Sequence, residues 1–179
     1  MLKRFEQGAS SHPRTTTPLT DAHAGGMYRW AFWSDPKGWN LIQDGIEWFN
    51  WGEYTHVELA CPDNETIGAT WPRVRDRVYL DVTDPNIHFY DFKAGVGFTE
   101  ANWRNVEEFM RSQVGKHYDL GGIFGHIVKQ DWQAPDKWMC HELCMEATHR
   151  EGFALQERKP AYRLGPNDMM MSPLLYRMK

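Results

Sequence analysis

Near Gly97 the spacing of apolar residues changes from a strand pattern to a helical one, and that switch constrains the fold of this chain most. Ahead of it, short apolar runs are parted by Pro, Gly, Asn and Asp, which predicts strands over 27–33, 54–60, 65–71, 76–81 and 86–92. In one interruption, Leu41, Ile42, Gly45, Ile46 and Phe49 recur at helical spacing and predict a short helix. Beyond Gly97, Thr99 is placed to cap a helix with an apolar stripe of Trp103, Val106, Met110 and Val114, and Gly115 to end it. A second helix is expected over 120–130. A third runs from Cys140 over 140–151, with Leu143, Cys144 and Ala147 inward and Gly152 as its stop. Strands followed by helices make an α+β domain, with helices packed on an antiparallel sheet.

At 179 residues the chain suits one domain with a single core. Residues 1–26 are rich in Ser, Thr, Pro, Gly and His and read as a flexible arm, leaving 27–179 as the folded domain. The formal net charge of -4 argues against a nucleic-acid binder, which needs a basic face for phosphates. Arg73, Arg75 and Arg77 alternate on a strand and would share one face, read here as a solvated surface. Of the 9 tryptophans, Trp30, Trp33, Trp39, Trp48 and Trp51 fall close together, which suits an aromatic core and groove; an apolar substrate channel is the sharper alternative. Three cysteines make no secreted-type disulfide framework. The opening residues develop no apolar core of a signal peptide, and no run is long enough to span a bilayer. A reducing cytoplasm, no cofactor and no membrane insertion are therefore expected.

Cys140 lies where the last helix should begin. Unpaired N–H groups and the positive end of the helix dipole stabilise a thiolate there, lowering the pKa from about 8.5. The same N–H groups can receive a developing oxyanion. Cys144, one turn further on, is too deep to feel the helix end and reads as core; Cys61, before Pro62, reads as packing. A zinc site on Cys140, Cys144 and a histidine is a weak reading, because the Cys-x-x-x-Cys pair lacks a second matching pair. No metal is expected. On the strand over 54–60, Thr55, Val57 and Leu59 point one way and His56 and Glu58 the other. A mid-strand histidine can hold a fixed orientation, as a general base must. Glu58 can then take one imidazole nitrogen and leave the other for a thiol. By themselves the two residues also read as surface polar groups on an exposed sheet face.

Several segments together resemble a known group. Thr55-His56-Val57-Glu58-Leu59 resembles the Ser/Thr-His-Val motif of circularly permuted NlpC-like proteins of the papain fold, the YiiX- and YaeF-like group. Ile67-Gly68-Ala69 with a trailing Val74 is similar to the strand that follows it. Gly115-Lys116-His117-Tyr118-Asp119 resembles the group's Gly-Lys-Pro-Tyr-Asp, and Trp138-Met139-Cys140-His141-Glu142-Leu143 its aromatic-x-Cys-Ser-Glu-Leu. Leu164-Gly165-Pro166-Asn167-Asp168 with Ser172-Pro173 resembles its closing segment. The matches stand in the group's order and run from about residue 27 to 175.

The resemblance implies a papain-like core of rearranged order, with His56 as base ahead of Cys140 as nucleophile. It implies thiolate attack on an acyl carbon, an acyl-enzyme, and release to water or another acceptor. Tyr118 is expected to line the site, and Trp138 holds the aromatic position before the nucleophile; both are expected to meet substrate. Relatives act on peptide-like amides or on lipid acyl groups, the lecithin–retinol acyltransferase branch among them. The chain departs from the pattern at three places: His141 replaces a Ser, His117 a Pro, and Gly68 a residue that is often Glu. With no carboxylate at position 68, Glu58 is expected to be the third catalytic residue, with Glu65 and Thr70 as rivals. The expected function is hydrolysis of a peptide-like or peptidoglycan-related amide. A lipid-directed acyltransferase or thioesterase, and a non-catalytic binding module, are the alternatives.

Overall fold

The alternation of apolar and polar residues before Gly97 is realised as strands β1 (Arg29–Trp33), β2 (His56–Ala60), β3 (Glu65–Thr70), β4 (Arg73–Tyr79) and β5 (Ile87–Phe92). This is a computed structural model, and it describes residues 27–34, 52–119, 136–156 and 164–179. The arm over 1–26, the helices expected at 41–49 and 120–130, and Trp39, Trp48 and Trp51 lie outside the described residues. Helix α1 (Glu100–Ser112), strands β6 (His117–Tyr118) and β7 (Lys137–Trp138), helix α2 (Cys140–Arg150), the short α3 (Pro166–Met170) and β8 (Leu175–Arg177) follow. The strands form one curled sheet in the order β7-β6-β4-β3-β2-β1-β5-β8, with helices packed on it. The architecture is α+β.

Several local expectations need correcting. The sheet is antiparallel except between β6 and β7, which run parallel with His117 opposite Lys137. Parallel pairing needs a long return connection, and the chain between Tyr118 and Lys137 supplies that length. Strand β4 begins at Arg73, earlier than its polar start suggested, because the chain reverses so tightly that Arg73 pairs with Thr70. Arg77 has φ 55 where the β3–β4 register shifts, so it breaks the alternation that Arg73 and Arg75 keep. Val114 is 41% exposed rather than on the apolar stripe, since α1 stops at Ser112 and Gly115 turns the chain at φ 90. His56 is the first residue of β2, not a mid-strand one.

The main core lies between the sheet and the helices. Trp30, Phe32, Val57, Leu59 and Ile67 meet Trp103, Val106 and Met110 of α1 and Leu143, Cys144 and Ala147 of α2. Thr99 caps α1 by accepting from the Asn102 N–H, which fixes the stripe that puts Trp103 against Trp30, ring centroids 5.2 Å apart. Truncating such a buried indole to Ala costs about 3–5 kcal/mol. A smaller cluster of Ala31, Ala60, Leu80 and Ile87 lies apart from the main core.

One polar clamp bears directly on His56. The Asn167 side chain of α3 accepts from the Tyr54 N–H (2.9 Å) and donates to the Tyr54 carbonyl (2.7 Å). Gly52 makes room for it, because a Cβ there would come 2.3 Å from Asn167 Cγ. The backbone entering β2 is thereby tied to the closing segment of the chain.

Candidate active site

Strand β7 ends two residues before Cys140, and Met139 between them keeps an extended backbone, so the chain passes from strand to helix with Cys140 as the first helical residue. Glu142 steadies this turn by accepting the Met139 N–H at its Oε2 (3.2 Å). The Leu143 N–H bonds to the Met139 carbonyl (3.1 Å), so the N–H groups of Cys140, His141 and Glu142 precede that bond. Cys140 is 3% exposed, and His141 and His56 are the neighbours that favour its thiolate.

Across from the helix, His56 Nε2 and Glu58 Oε1 are 2.9 Å apart. Two residues on one strand face reach each other only if the longer side chain leans back, and the neighbouring strand makes that possible. Leu59 pairs with Ile67 and Ala60 with Thr66; one step further along this ladder Glu58 stands opposite Gly68. A Cβ on Gly68 would meet Glu58 Cγ at 2.4 Å and Oε1 at 2.8 Å. The carboxylate thus fills the space left by the missing side chain. Thr66, whose hydroxyl donates to the Val78 carbonyl (3.4 Å), and the Arg75 charge both favour its ionised form. Glu65 and Thr70, the rival positions, are engaged elsewhere: Glu65 pairs with Tyr79, and Thr70 Oγ1 receives Arg75 Nη2 at 3.4 Å.

Electrostatics follow from these contacts. Burial works against a charged Cys140, but His141 and His56 more than offset it and bring the thiol down to about 5. Burial likewise opposes a charged His56, yet Cys140 and Glu58 raise it to about 10. Glu58 is buried, which alone would raise it; His56, then Thr66 and Arg75, hold it below the usual carboxylate range. Each member therefore favours the charged form of the other, and the proton belongs to the pair rather than to either member.

Tyr118 and Trp138 fare differently. Burial, followed by the Cys140 thiolate charge, holds the Tyr118 hydroxyl well above the ordinary tyrosine value. Trp138 donates its indole N–H to Gln113 Oε1 (3.2 Å) and packs edge-on to Phe109. No hydrogen bond or ring contact joins it to Cys140 or His56 among the described residues. Among the described residues, Trp33 lies beside His56, with ring centroids 5.3 Å apart. Cys144, with its Sγ at 4.0 Å from the Val57 carbonyl, and Cys61 are buried, and burial raises both thiols. Sequence reasoning missed Thr66, Arg75 and Asn167, whose parts depend on strand register, and it treated His141 only as a departure. Its place beside a nucleophile at a helix start was a signal that could have singled it out.

No protein-family profile matches the chain, and no curated protein matches it. Among solved structures the chain is similar to the crystal structure of metalloprotein yiiX from Escherichia coli O157:H7. The TM-score is 0.60 at 11% sequence identity, over 84% of this chain and 94% of that one. At that identity the likeness is one of fold, and the fold is that of a protein from the group whose motifs the chain resembles.

Proposed function

We propose that the protein is a thiol hydrolase of permuted papain-like type that cleaves a peptide-like amide, with Cys140 as nucleophile and His56 as its proton carrier. The observation that carries this reading is the buried Cys140 beside His56, whose imidazole is held at 2.9 Å by Glu58. The Cys140 sulfur bonds to the acyl carbon and the carbonyl electron pair moves onto oxygen, where the spare N–H groups at the start of α2 receive it. On collapse the C–N bond breaks, and the His56 proton goes to the departing amine. Water then gives a proton to His56 and adds to the thioester carbon; the C–S bond breaks and its electron pair returns to sulfur. Glu58 is a positioning residue: it orients the imidazole and stabilises its charge. A reducing compartment such as the cytoplasm suits this chemistry, because the described cysteines are all free thiols.

The structural neighbour is described as a metalloprotein. Among the described residues here, no group of three or more His, Cys, Asp or Glu side chains is disposed to hold an ion. Every step above is carried by thiol, imidazole and backbone.

The test is intact-mass analysis of the protein mixed with peptide p-nitroanilides, acyl thioesters and short-chain esters. Turnover of an amide, with an acyl adduct mapped to Cys140, is expected. Adducts only from thioesters or esters would replace the amidase reading with an acyltransferase or thioesterase. Unchanged turnover in Cys140→Ala would end the hydrolase reading.

A further inference from the structure

We infer that Arg73, His117 and Lys137 form an extension of the Cys140–His56 site that binds the carboxylates of an acidic, extended peptide. This names a substrate class for the proposed thiol hydrolase and rests on that reading. Its basis is the register of the sheet. Thr70 pairs with Arg73, Arg73 with His117, and His117 with Lys137. Residues directly opposite one another in a ladder share a face, so β3, β4, β6 and β7 present these four side chains as one row. The face is that of the site. Arg75, two residues along β4 from Arg73, stands opposite Gly68, and the Glu58 side chain fills the space that a Gly68 Cβ would take. The β2–β3 ladder has Leu59 opposite Ile67 and Glu58 against Gly68; continued two residues further, it brings His56 opposite Thr70.

The row is polarised across the histidine. On one side Trp33 pairs with both His56 and Ile87, an apolar flank. On the other, beyond the buried Thr70, Arg73, His117 and Lys137 are all exposed. No acidic residue interleaves them, and none of the three forms an ion pair among the described residues. Nearby charges are engaged elsewhere: Asp76 holds Arg111 at 3.0 Å, Arg75 donates to the Thr70 hydroxyl at 3.4 Å, and Glu58 serves His56. Asp136 precedes β7 and lies outside the ladder. Across a ladder opposite charges stabilise and like charges destabilise, so cations lined up without an acid do nothing for the sheet. Acids outnumber Lys and Arg in this chain by 24 to 20, so an uncompensated cationic row departs from the balance of the whole.

Spacing sets what fits. Neighbouring strands lie about 4.8 Å apart, so Arg73 stands about 10 Å from His56, and Lys137 about 10 Å further. An extended peptide rises about 3.3 Å per residue, which puts one acidic side chain about three residues from the amide under attack and a second about three beyond it. Arg73 offers a planar fork that takes a carboxylate through two N–H groups, Lys137 a point charge, and His117 a ring N–H between them. An apolar residue belongs on the opposite side of the amide, over Trp33.

The test measures binding of a dansyl-labelled octapeptide with two glutamates three residues apart, beside its glutamine and phosphoserine counterparts, to the full chain carrying Cys140→Ala. Fluorescence anisotropy at low salt should show the glutamate peptide binding about tenfold or more tighter than the glutamine peptide, a difference that shrinks as salt is raised. Arg73→Gln and Lys137→Gln should each lose part of that preference, and the double variant all of it. Arg104→Gln, which removes an exposed cation on α1, should keep it. Equal binding of the glutamate and glutamine peptides would overturn the inference, as would an equal loss in Arg104→Gln. Tighter binding of the phosphoserine peptide than of the glutamate peptide would overturn the carboxylate assignment. The peptide comparison needs no change in the row, so it decides the matter even where a row variant fails to fold. With wild-type protein, binding of the glutamate peptide without turnover of any amide sinks the hydrolase reading alone. Turnover that ignores glutamate against glutamine sinks the acidic subsite alone.

Discussion

Gly68→Ala is the most economical probe of how the site is built, because it adds one methyl group and touches no reacting atom. A Cβ there would lie 2.4 Å from Glu58 Cγ and 2.7 Å from Cδ, far inside van der Waals contact. Gly68 is not in the left-handed region, so its backbone accepts Ala; on conformational entropy alone the change favours the strand by about 0.5–1 kcal/mol. The overlap must therefore be relieved by the carboxylate leaving its place against His56. Losing a hydrogen bond to a charged imidazole removes about 1.5–3 kcal/mol, which is about one to two pH units in the His56 titration. The His56 midpoint should fall from about 10 to about 8 or 9. His56 Cε1–H shifts followed by NMR give that midpoint, and thermal melting checks that the fold survives. Glu58→Gln should lower the midpoint similarly, and the double variant should sit no lower than Glu58→Gln alone, since the methyl acts only through the carboxylate. A wild-type midpoint in Gly68→Ala would refute the steric argument. An additional drop in the double variant would show that the methyl acts by another route.

Two further outcomes follow from the same geometry. With the thiol near 5 and His56 near 10, Cys140 alkylation should rise as pH climbs through about 5 and then stay high, because only the thiolate is needed. Amide turnover needs the His56 proton as well, so it should trace a bell that rises near 5 and falls as pH passes about 10; a turnover profile with no alkaline limb would remove His56 as the acid. Tyr118→Phe takes away a hydroxyl that feels the Cys140 charge but leaves the ring packed, so turnover should drop several-fold while the melting temperature barely moves; a large loss of stability with full specific activity would make Tyr118 a core residue.

What the linear order of residues determines here is local. The Thr99 cap, the stripe of Trp103, Val106 and Met110, and the helix beginning at Cys140 each depend on neighbours within a turn or two, and all were legible. So was the shared face of His56 and Glu58, which alternation alone imposes. The third member of the site was not legible in this way. Glu58, Glu65 and Thr70 all remained open, because choosing among them requires the register of β2 against β3, and a slip of one residue turns every side chain to the other face. Tertiary pairing puts Glu58 opposite Gly68, and the empty glycine position is what lets a carboxylate from the histidine's own strand lean back to Nε2. The start of β2 was misjudged for a related reason: Asn167, far along the chain, holds the Tyr54 backbone that a short-range pattern would assign to the strand. The approach of Cys140 to His56 is likewise decided only when α2 packs on the sheet, since burial and neighbouring charge, not residue type, set the ionisation of a thiol.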